Sequence, residues 1–201
     1  MGRIGIFGGT FDPPHIGHLI LAAEAYQQLA LERLLWVLTP DPPHKQNMEI
    51  TPLAHRLDMI QAAISGDPNF ELSTVDIDRP GPHYAVDTLK ILNDKKPGMD
   101  WIYIMGGDSL RDLPLWRAPV ELVNMVTALG VMIRPGVKID LARIELYIPG
   151  VSAKVKYINS PLLDISASDI RQRVEDGQAF RYLVPPGVYQ IILDRGLYRS
   201  N

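Results

Sequence analysis

Short apolar runs alternate along this chain with longer segments in which apolar side chains recur every three or four residues. The short runs are rich in β-branched and aromatic residues, as buried strands are. They predict strands over 4–7, 34–38, 71–77, 101–105, 128–133 and 155–158. The longer segments predict helices over 16–29, 53–64, 85–92 and 119–125. Such alternation favours a parallel sheet covered on both faces, so we predict an α/β, Rossmann-like doubly wound fold.

The part of the chain after the last predicted strand indicates further helices. Ser166 and Asp169 have the spacing of a capping box ahead of the amphipathic segment 170–174, so a helix is expected to begin there. Pro185 and Pro186 mark a turn that starts a final helix. We therefore expect C-terminal helices beside the sheet. Residues 1–201 are predicted to form a single domain, because a chain of this length holds one full core.

Composition limits the classes of function that this chain can have. Its 201 residues carry a formal net charge of −3 and no run of basic side chains, so nucleic acid is not expected as a partner. Cysteine is absent, which excludes disulfides, thiolate metal sites and a cysteine nucleophile. No apolar run approaches the ~18 residues of a membrane span, and no leader precedes the first strand. We therefore expect a cytoplasmic protein with no membrane partner.

The most informative segment joins the first predicted strand to the first predicted helix and reads GGTFDPPHIGH over residues 8–18. Gly8 and Gly9 let backbone N–H groups approach an anion, and the free N–H groups of a helix start favour negative charge. His15 and His18 lie on one helix face, so both rings can point at one bound group, and Gly17 leaves room for it. The segment matches neither the P-loop nor the dinucleotide-binding glycine pattern. It predicts a phosphate site of another kind.

Each of these features has an ordinary structural explanation when it occurs alone. A histidine in a first helical turn is commonly a cap or a surface residue, and paired glycines commonly form a plain turn. Ser166 with Asp169 is commonly only a helix start, and Arg171 a solvated surface charge. Their occurrence together in one chain is what favours a functional interpretation.

With His15-Ile16-Gly17-His18 in this setting, the chain resembles the nucleotidyltransferase superfamily that carries a His-x-Gly-His signature. A second signature of that superfamily, Ile-Ser-x-Thr/Ser-x-x-Arg, is matched by residues 165–171. The resemblance implies catalytic roles for His15, His18 and Arg171. It also implies that ATP is bound by the following residues: Gly8, Gly9, Thr10, Phe11, His15, His18, Gly107, Asp108, Ile165, Ser166, Ser168 and Arg171. An N-cap role for Asp108 stays open as an alternative.

Within the superfamily, the chain is most similar to the bacterial nicotinate-nucleotide adenylyltransferases. The similarity rests on four further segments, at 42–45, 79–89, 107–116 and 196–198. It implies that nicotinate mononucleotide is bound by these residues: Lys45, Tyr84, Ala85, Thr88 and Trp116. Where the family has Ser-Tyr-Thr this chain has His83-Tyr84-Ala85, so a hydroxyl contact to the nicotinate carboxylate is lost and backbone N–H groups would have to replace it.

The resemblance implies adenylyl transfer from ATP to nicotinate mononucleotide, giving deamido-NAD and pyrophosphate. The phosphate of the mononucleotide, with a second pKa near ~6, is mostly dianionic at neutral pH, so no general base is needed. We expect Mg²⁺ to bind mainly through the ATP phosphates, without a carboxylate cluster, and Asp12 to order its own loop rather than to hold metal. Trp116 is expected to offer a flat face to the nicotinate ring.

Other functions remain open at this point. Phosphopantetheine adenylyltransferases share the His-x-Gly-His turn, but their chains are usually shorter and their second signature differs. Cytidylyltransferases usually carry an Arg-Thr-Glu-Gly-Ile-Ser segment, which this sequence lacks. From a different class, a nucleotide-binding regulatory module that has lost catalysis is disfavoured by the presence of His15, His18 and Arg171 together. The oligomeric state stays open, a homo-oligomer included.

Overall fold

The computed structural model describes residues 2–42, 49–133, 138–161 and 163–199. Its strands are β1 Arg3–Gly9, β2 Arg33–Leu38, β3 Phe70–Ser73, β4 Asp100–Gly106, β5 Ala128–Met132 and β6 Val155–Ile158. Its α-helices are α1 Ile16–Gln28, α2 Leu53–Ile64, α3 Ala85–Lys95, α4 Gly107–Asp112, α5 Pro119–Met125, α6 Leu141–Tyr147, α7 Val151–Lys154, α8 Ala167–Glu175 and α9 Pro186–Asp194.

The strands form one sheet in the order β3-β2-β1-β4-β5-β6, and every neighbouring pair is parallel. The predicted α/β, Rossmann-like fold is thus confirmed. From β1 the chain adds β2 and then β3 on one side of the sheet. It then crosses back and places β4 on the other side of β1, followed by β5 and β6. Ligands of such sheets bind beyond the carboxyl ends of the strands where the order reverses, which here lies between β1 and β4.

Side chains of the central strands alternate between two core clusters, one on each face of the sheet. In β4, Trp101, Tyr103 and Met105 lie in one cluster, while Ile102 and Ile104 lie in the other. This explains why the strands read as continuous apolar runs: in a parallel sheet both faces are covered by helices. A third cluster joins α2 to α8 and α9, the predicted C-terminal helices.

The structure corrects several predicted boundaries. The strand predicted over 71–77 ends at Ser73, because the chain turns there and the Asp76 carboxylate accepts hydrogen bonds from Arg79 and Thr88 instead of continuing into the sheet. The helix predicted over 85–92 continues to Lys95, since its last residues are polar and extend the helix beyond its apolar periodicity. The short helices α4, α6 and α7 were not predicted, because each is too brief to show a period.

A buried arginine connects the loops at the carboxyl edge of the sheet. Arg56, in α2, is 3% exposed. Its guanidinium donates hydrogen bonds of 2.8 to 3.1 Å to the backbone carbonyl oxygens of Thr10, Thr39, Pro40 and Thr51. Burial lowers the pKa of Arg56, and the negative charges of Asp12 and Asp41 oppose that shift. The loops after β1 and β2 and the segment before α2 are thereby tied to one side chain.

We predict that Arg56→Ala destabilises the fold by about 3 kcal/mol or more, because several buried carbonyl groups lose their donor. Arg33→Ala is the matched control, since the Arg33 side chain is 50% exposed and makes one long hydrogen bond to Pro68 and a 3.8 Å ion pair with Glu71. We expect that control to change stability by no more than about 0.5 kcal/mol. Urea unfolding at pH 7 measures the free energy of unfolding of both variants. Equal losses of stability would show that the Arg56 hydrogen bonds do not stabilise the fold more than an exposed arginine does.

Candidate active site

The loop between β1 and α1 contains a left-handed residue that is not glycine. Phe11 has φ +47°, a conformation that costs energy for a bulky side chain. Its ring is 3% exposed and packs against Phe7, Trp36 and His18, with centroid distances of 5.3, 5.0 and 5.1 Å. Burial of the ring therefore holds the turn in shape. Because the ring is buried, any contact between Phe11 and ATP would have to come from its backbone.

The glycines of this loop make room for protein side chains. Gly8 and Gly9 are the last residues of β1. A Cβ atom on Gly9 would lie 2.9 Å from the Phe11 ring, and one on Gly8 would lie 3.0 Å from the Tyr103 hydroxyl. A Cβ on Gly17 would lie 3.1 Å from Nδ1 of His15. We expected Gly17 to clear space for a ligand; in the structure it clears space for the His15 ring.

The two histidines of the signature form a stacked pair at the start of α1. Their ring centroids are 3.6 Å apart and the ring planes differ by 24°. The backbone N–H of His15 donates to Nδ1 of His18 at 3.1 Å, so a neutral His18 ring carries its proton on Nε2. His15 is 2% exposed, whereas His18 is partly exposed. The stack and this hydrogen bond therefore fix the orientation of the His18 ring.

One donor of the α1 start is used within the protein. The backbone N–H of Ile16 donates to the carbonyl oxygen of Leu183 at 2.9 Å, which joins this turn to the segment before α9. We expected the free N–H groups of this helix start to face an anion. The structure removes Ile16 from that set, so the His18 side chain carries more of the proposed phosphate contact than the sequence suggested.

The second signature forms a capped helix start, as predicted. The Ser166 hydroxyl accepts from the Asp169 N–H at 3.1 Å and donates to the Asp169 carboxylate at 2.7 Å. Ser168 lies beside it, with its hydroxyl 3.1 Å from that of Ser166. A Cβ on Gly17 would be 4.0 Å from the Cβ of Ile165, so the two signatures are in contact.

Arg171 makes the second connection between the signatures. Its Nη1 donates to the backbone carbonyl oxygen of Asp12 at 2.8 Å, across 159 residues of sequence. The Asp12 carboxylate, 5% exposed, accepts hydrogen bonds from the Thr51 N–H at 3.2 Å and from the Tyr198 hydroxyl at 2.8 Å. The Asp12 carboxylate therefore ties the β1–α1 loop to the segments before α2 and after α9, instead of bonding within its own loop as we expected. A guanidinium, two imidazoles and a serine-rich helix start thus lie together beside β1.

Gly107 and Asp108 follow the carboxyl end of β4, next to β1. The N-cap of α4 is Gly106, so the N-cap alternative for Asp108 is wrong. The Asp108 side chain is 53% exposed and lies 3.4 Å from Nη1 of Arg111. Its contact with ATP stays a prediction. Lys45, predicted to bind phosphate, lies outside the described residues.

Residues predicted to bind the acceptor lie at the start of α3 and beside β4. Tyr84 is the N-cap of α3 and Ala85 its first residue. Trp116 closes a short 3-10 turn, Leu113–Leu115, and its ring meets Tyr103 edge-on at 6.0 Å. Since the Tyr103 hydroxyl also lies against Gly8, the acceptor side and the ATP side share one tyrosine. Burial, followed by the charge of Asp76, raises the pKa of Tyr103, which keeps this hydroxyl protonated.

Comparison with known proteins identifies the family. Residues 6–173 match the family model described as cytidylyltransferase-like. A relative from Thermomicrobium roseum, named "Probable nicotinate-nucleotide adenylyltransferase", is 46% identical, and the match covers 100% of this chain and 93% of the relative. A relative of the same name from Geobacillus thermodenitrificans is 42% identical, with 100% of this chain and 88% of the relative covered. This chain belongs to the nicotinate-nucleotide adenylyltransferase family.

Solved structures agree on the fold. The chain resembles "Plasmodium falciparum nicotinic acid mononucleotide adenylyltransferase complexed with NaAD" with a TM-score of 0.82 and 22% sequence identity, covering 98% of both chains. A second structure of that protein, complexed with APC, gives a TM-score of 0.80 at 21% identity, again covering 98% of both chains. The family resemblance stated from the sequence motifs is confirmed, and the chain is a nucleotidyltransferase.

The surroundings of Thr88 and Arg56 were not apparent from the sequence. Thr88 was expected to touch nicotinate mononucleotide, but it is 3% exposed and its hydroxyl donates to the Asp76 carboxylate at 2.6 Å. Asp76 also binds Arg79 through two nitrogens, at 2.9 and 3.0 Å. Thr88 therefore supports the loop before α3 from inside. Arg56 was not singled out at all, although its position one turn before Ile60 on the apolar face of α2 is a detectable signal.

The described residues contain neither a metal-binding cluster nor a membrane-spanning helix. No group of three or more His, Cys, Asp or Glu side chains among them is arranged to hold a metal ion. None of the helices within the described ranges has the length and apolar character needed to cross a membrane.

We predict that His18→Ala lowers kcat by roughly 10²-fold or more, the scale of losing one transition-state donor, with a smaller effect on ATP affinity. His55→Ala is the control, because the His55 side chain, in α2, is hydrogen-bonded to Arg195 at the end of α9 and belongs to neither signature. We expect its kcat to stay near normal. Steady-state pyrophosphate release measures both variants, and a near-normal rate for His18→Ala would remove His18 from the mechanism.

Proposed function

We propose that this chain transfers the adenylyl group of ATP to nicotinate mononucleotide, giving nicotinate adenine dinucleotide and pyrophosphate in NAD biosynthesis. The observation that carries the proposal is the hydrogen bond from Arg171 to the Asp12 carbonyl, which joins the two signatures into one cationic and hydrogen-bonding surface at the carboxyl end of β1. The names of the relatives, and the NaAD in the similar solved structure, support the same reaction.

The proposed reaction needs charge to be held in place more than it needs proton transfer. An oxygen of the mononucleotide phosphate attacks the α-phosphorus, and the bond from that phosphorus to the bridging oxygen breaks as pyrophosphate leaves with the electron pair. We assign His15 and His18 to the α- and β-phosphates, with the Nε2 donor of His18 facing them. Arg171, Ser166 and Ser168 are assigned to the β- and γ-phosphates. Alignment and neutralisation by fixed donors then supply the catalysis.

Mg²⁺ is proposed to enter with ATP as part of the substrate. The described residues hold no cluster of acidic or imidazole ligands, so the protein would contribute little to the ion's coordination there. Mg²⁺ commonly keeps phosphate oxygens and water as ligands, which fits that surface. The ion would neutralise part of the triphosphate charge, and the side chains named above would position the triphosphate.

The acceptor is proposed to bind between the start of α3 and Trp116. The N-terminus of α3 favours a carboxylate. Because the Tyr84 N–H already donates to the Pro82 carbonyl oxygen at 3.3 Å, the backbone N–H of Ala85 is the donor proposed to face the carboxylate, in place of the hydroxyl of the family pattern. The Asp76 carboxylate, with Arg79 and Thr88 bound to it, holds the loop that leads to this helix start. We propose that Trp116 stacks on the nicotinate ring.

Turnover with three acceptors tests the proposal. Nicotinate mononucleotide, nicotinamide mononucleotide and phosphopantetheine are each mixed with enzyme, ATP and Mg²⁺, and pyrophosphate is measured. We expect rapid release only with a pyridine mononucleotide. Release with phosphopantetheine alone would support the alternative adenylyltransferase, and ATP binding without release from any acceptor would support a non-catalytic module. The proposal also includes a cytoplasmic location, which cell fractionation measures; light scattering measures the oligomeric state, for which a homo-oligomer is one of the open alternatives.

We predict that Arg171→Ala weakens ATP binding by on the order of 2 kcal/mol and weakens AMP binding far less, because the guanidinium is assigned to phosphates that AMP lacks. Arg173→Ala is the matched control on the same helix, where the guanidinium donates to the exposed carbonyl of Ala179 at 3.3 Å. Isothermal titration with each nucleotide provides the dissociation constants. Equal losses for ATP and AMP would contradict the assignment of Arg171.

We predict that nicotinate mononucleotide is preferred over nicotinamide mononucleotide by at least ~10²-fold in kcat/KM, because an amide nitrogen would face N–H donors in the proposed pocket. Trp116→Ala should weaken both mononucleotides by similar factors and leave ATP affinity nearly unchanged, since stacking is indifferent to the carboxylate. Competition kinetics and titration measure these effects. A ratio near one would show that the acceptor pocket is wrongly assigned, even if adenylyl transfer is observed.

A further inference from the structure

Tyr198 connects the C-terminal end of the described chain to the loop of the first signature. It follows α9 in a left-handed conformation, φ +64°, which is strained for a residue with a side chain. Its hydroxyl donates to Oδ1 of Asp12 at 2.8 Å, across 186 residues of sequence. Its ring packs on the cluster formed by α2, α8 and α9, with the hydroxyl 4.0 Å from the Met59 sulfur.

The Tyr198 hydroxyl acts as a permanent donor. Burial, followed by the negative charge of Asp12, raises the pKa of Tyr198 far above its usual range, so the phenol keeps its proton at any working pH. Removing the hydroxyl would leave the apolar contacts of the ring in place. What the hydroxyl adds to the structure is therefore its hydrogen bond to the Asp12 carboxylate, together with a hydrogen bond with the Thr51 side chain.

Asp12 links Tyr198 to Arg171 through hydrogen bonds. Its carboxylate accepts from Tyr198, and its backbone carbonyl accepts from Nη1 of Arg171 at 2.8 Å. We infer that Tyr198 is a positioning residue for Arg171: by holding Asp12, it fixes the carbonyl that aims the guanidinium at the β- and γ-phosphates of ATP. This inference rests on the proposed function. The acceptor residues Tyr84 and Trp116 lie outside this connection. Loss of the Tyr198 hydroxyl should therefore weaken binding of the triphosphate and leave acceptor binding unchanged.

Tyr198→Phe tests the inference with a minimal change. We expect this variant to bind ATP about tenfold more weakly than the wild type, with AMP and nicotinate mononucleotide affinities unchanged within about twofold, the scale of one lost hydrogen bond to a charged group. Tyr189→Phe is the matched control, since Tyr189 lies in the same C-terminal cluster and its hydroxyl has no hydrogen bond to the described residues. Isothermal titration measures each nucleotide, and the melting temperature of each variant is recorded.

A double-mutant cycle separates positioning from a general structural effect. In the Arg171→Ala background, Tyr198→Phe should cause no further loss of ATP affinity, because the group that it positions is absent. The same tenfold loss in both backgrounds, or an equal loss of ATP and AMP, would overturn the inference. If Tyr198→Phe does not fold, Asp12→Ala, which removes the acceptor of the Tyr198 hydroxyl, is measured in its place and judged by the same outcomes.

The proposed function and this inference fail in different ways. A wild type that binds no ATP, or releases no pyrophosphate with nicotinate mononucleotide, would overturn the proposed function. An active wild type whose Tyr198→Phe variant binds ATP as Tyr189→Phe does would overturn the positioning role alone.

Discussion

The carboxyl edge of this sheet is held together by the guanidinium of Arg56. Loops that leave parallel strands carry backbone carbonyl groups that the ladder no longer satisfies, and burying them without donors is costly. Arg56 donates to such groups at Thr10, Thr39, Pro40 and Thr51. The cost of burying its charge, seen in its lowered pKa, is offset by these hydrogen bonds and by nearby carboxylates. The loop of the first signature can then be buried and rigid.

On that support, the ATP side of the site is assembled by contacts between distant parts of the chain. Phe11 holds a left-handed turn by burying its ring, and the stack of His15 on His18 fixes the ring that we propose faces the ligand. Ile16 is tied to Leu183, and Asp12 is tied to Arg171. Donors that are held in place before the substrate arrives need little reorganisation during the reaction. Such preorganised donors are the main requirement for transferring a charged phosphoryl-type group.

The acceptor side is assembled differently, mostly by neighbours in sequence. Asp76, Arg79 and Thr88 form one hydrogen-bonded group that carries the chain from β3 to the start of α3. Such a local unit can change its exposed residues without disturbing the phosphate-binding side. His83 and Ala85 fall in this unit; His83 is buried, and its ring lies 3.3 Å from the Arg79 carbonyl oxygen. Tyr103 is the contact through which the two sides meet.

Local pattern and motif determined the α/β fold, most element positions, the capped start of α8 and the family. Periodicity and helix capping act within a few residues, so the sequence displays them directly. Only the tertiary structure decided that Thr88 faces Asp76, that Gly17 makes room for His15, and that Arg56 and Tyr198 hold the signature loop. Those outcomes depend on which carbonyl or carboxylate a side chain meets after folding, across separations as large as 186 residues, and no local pattern records that partner.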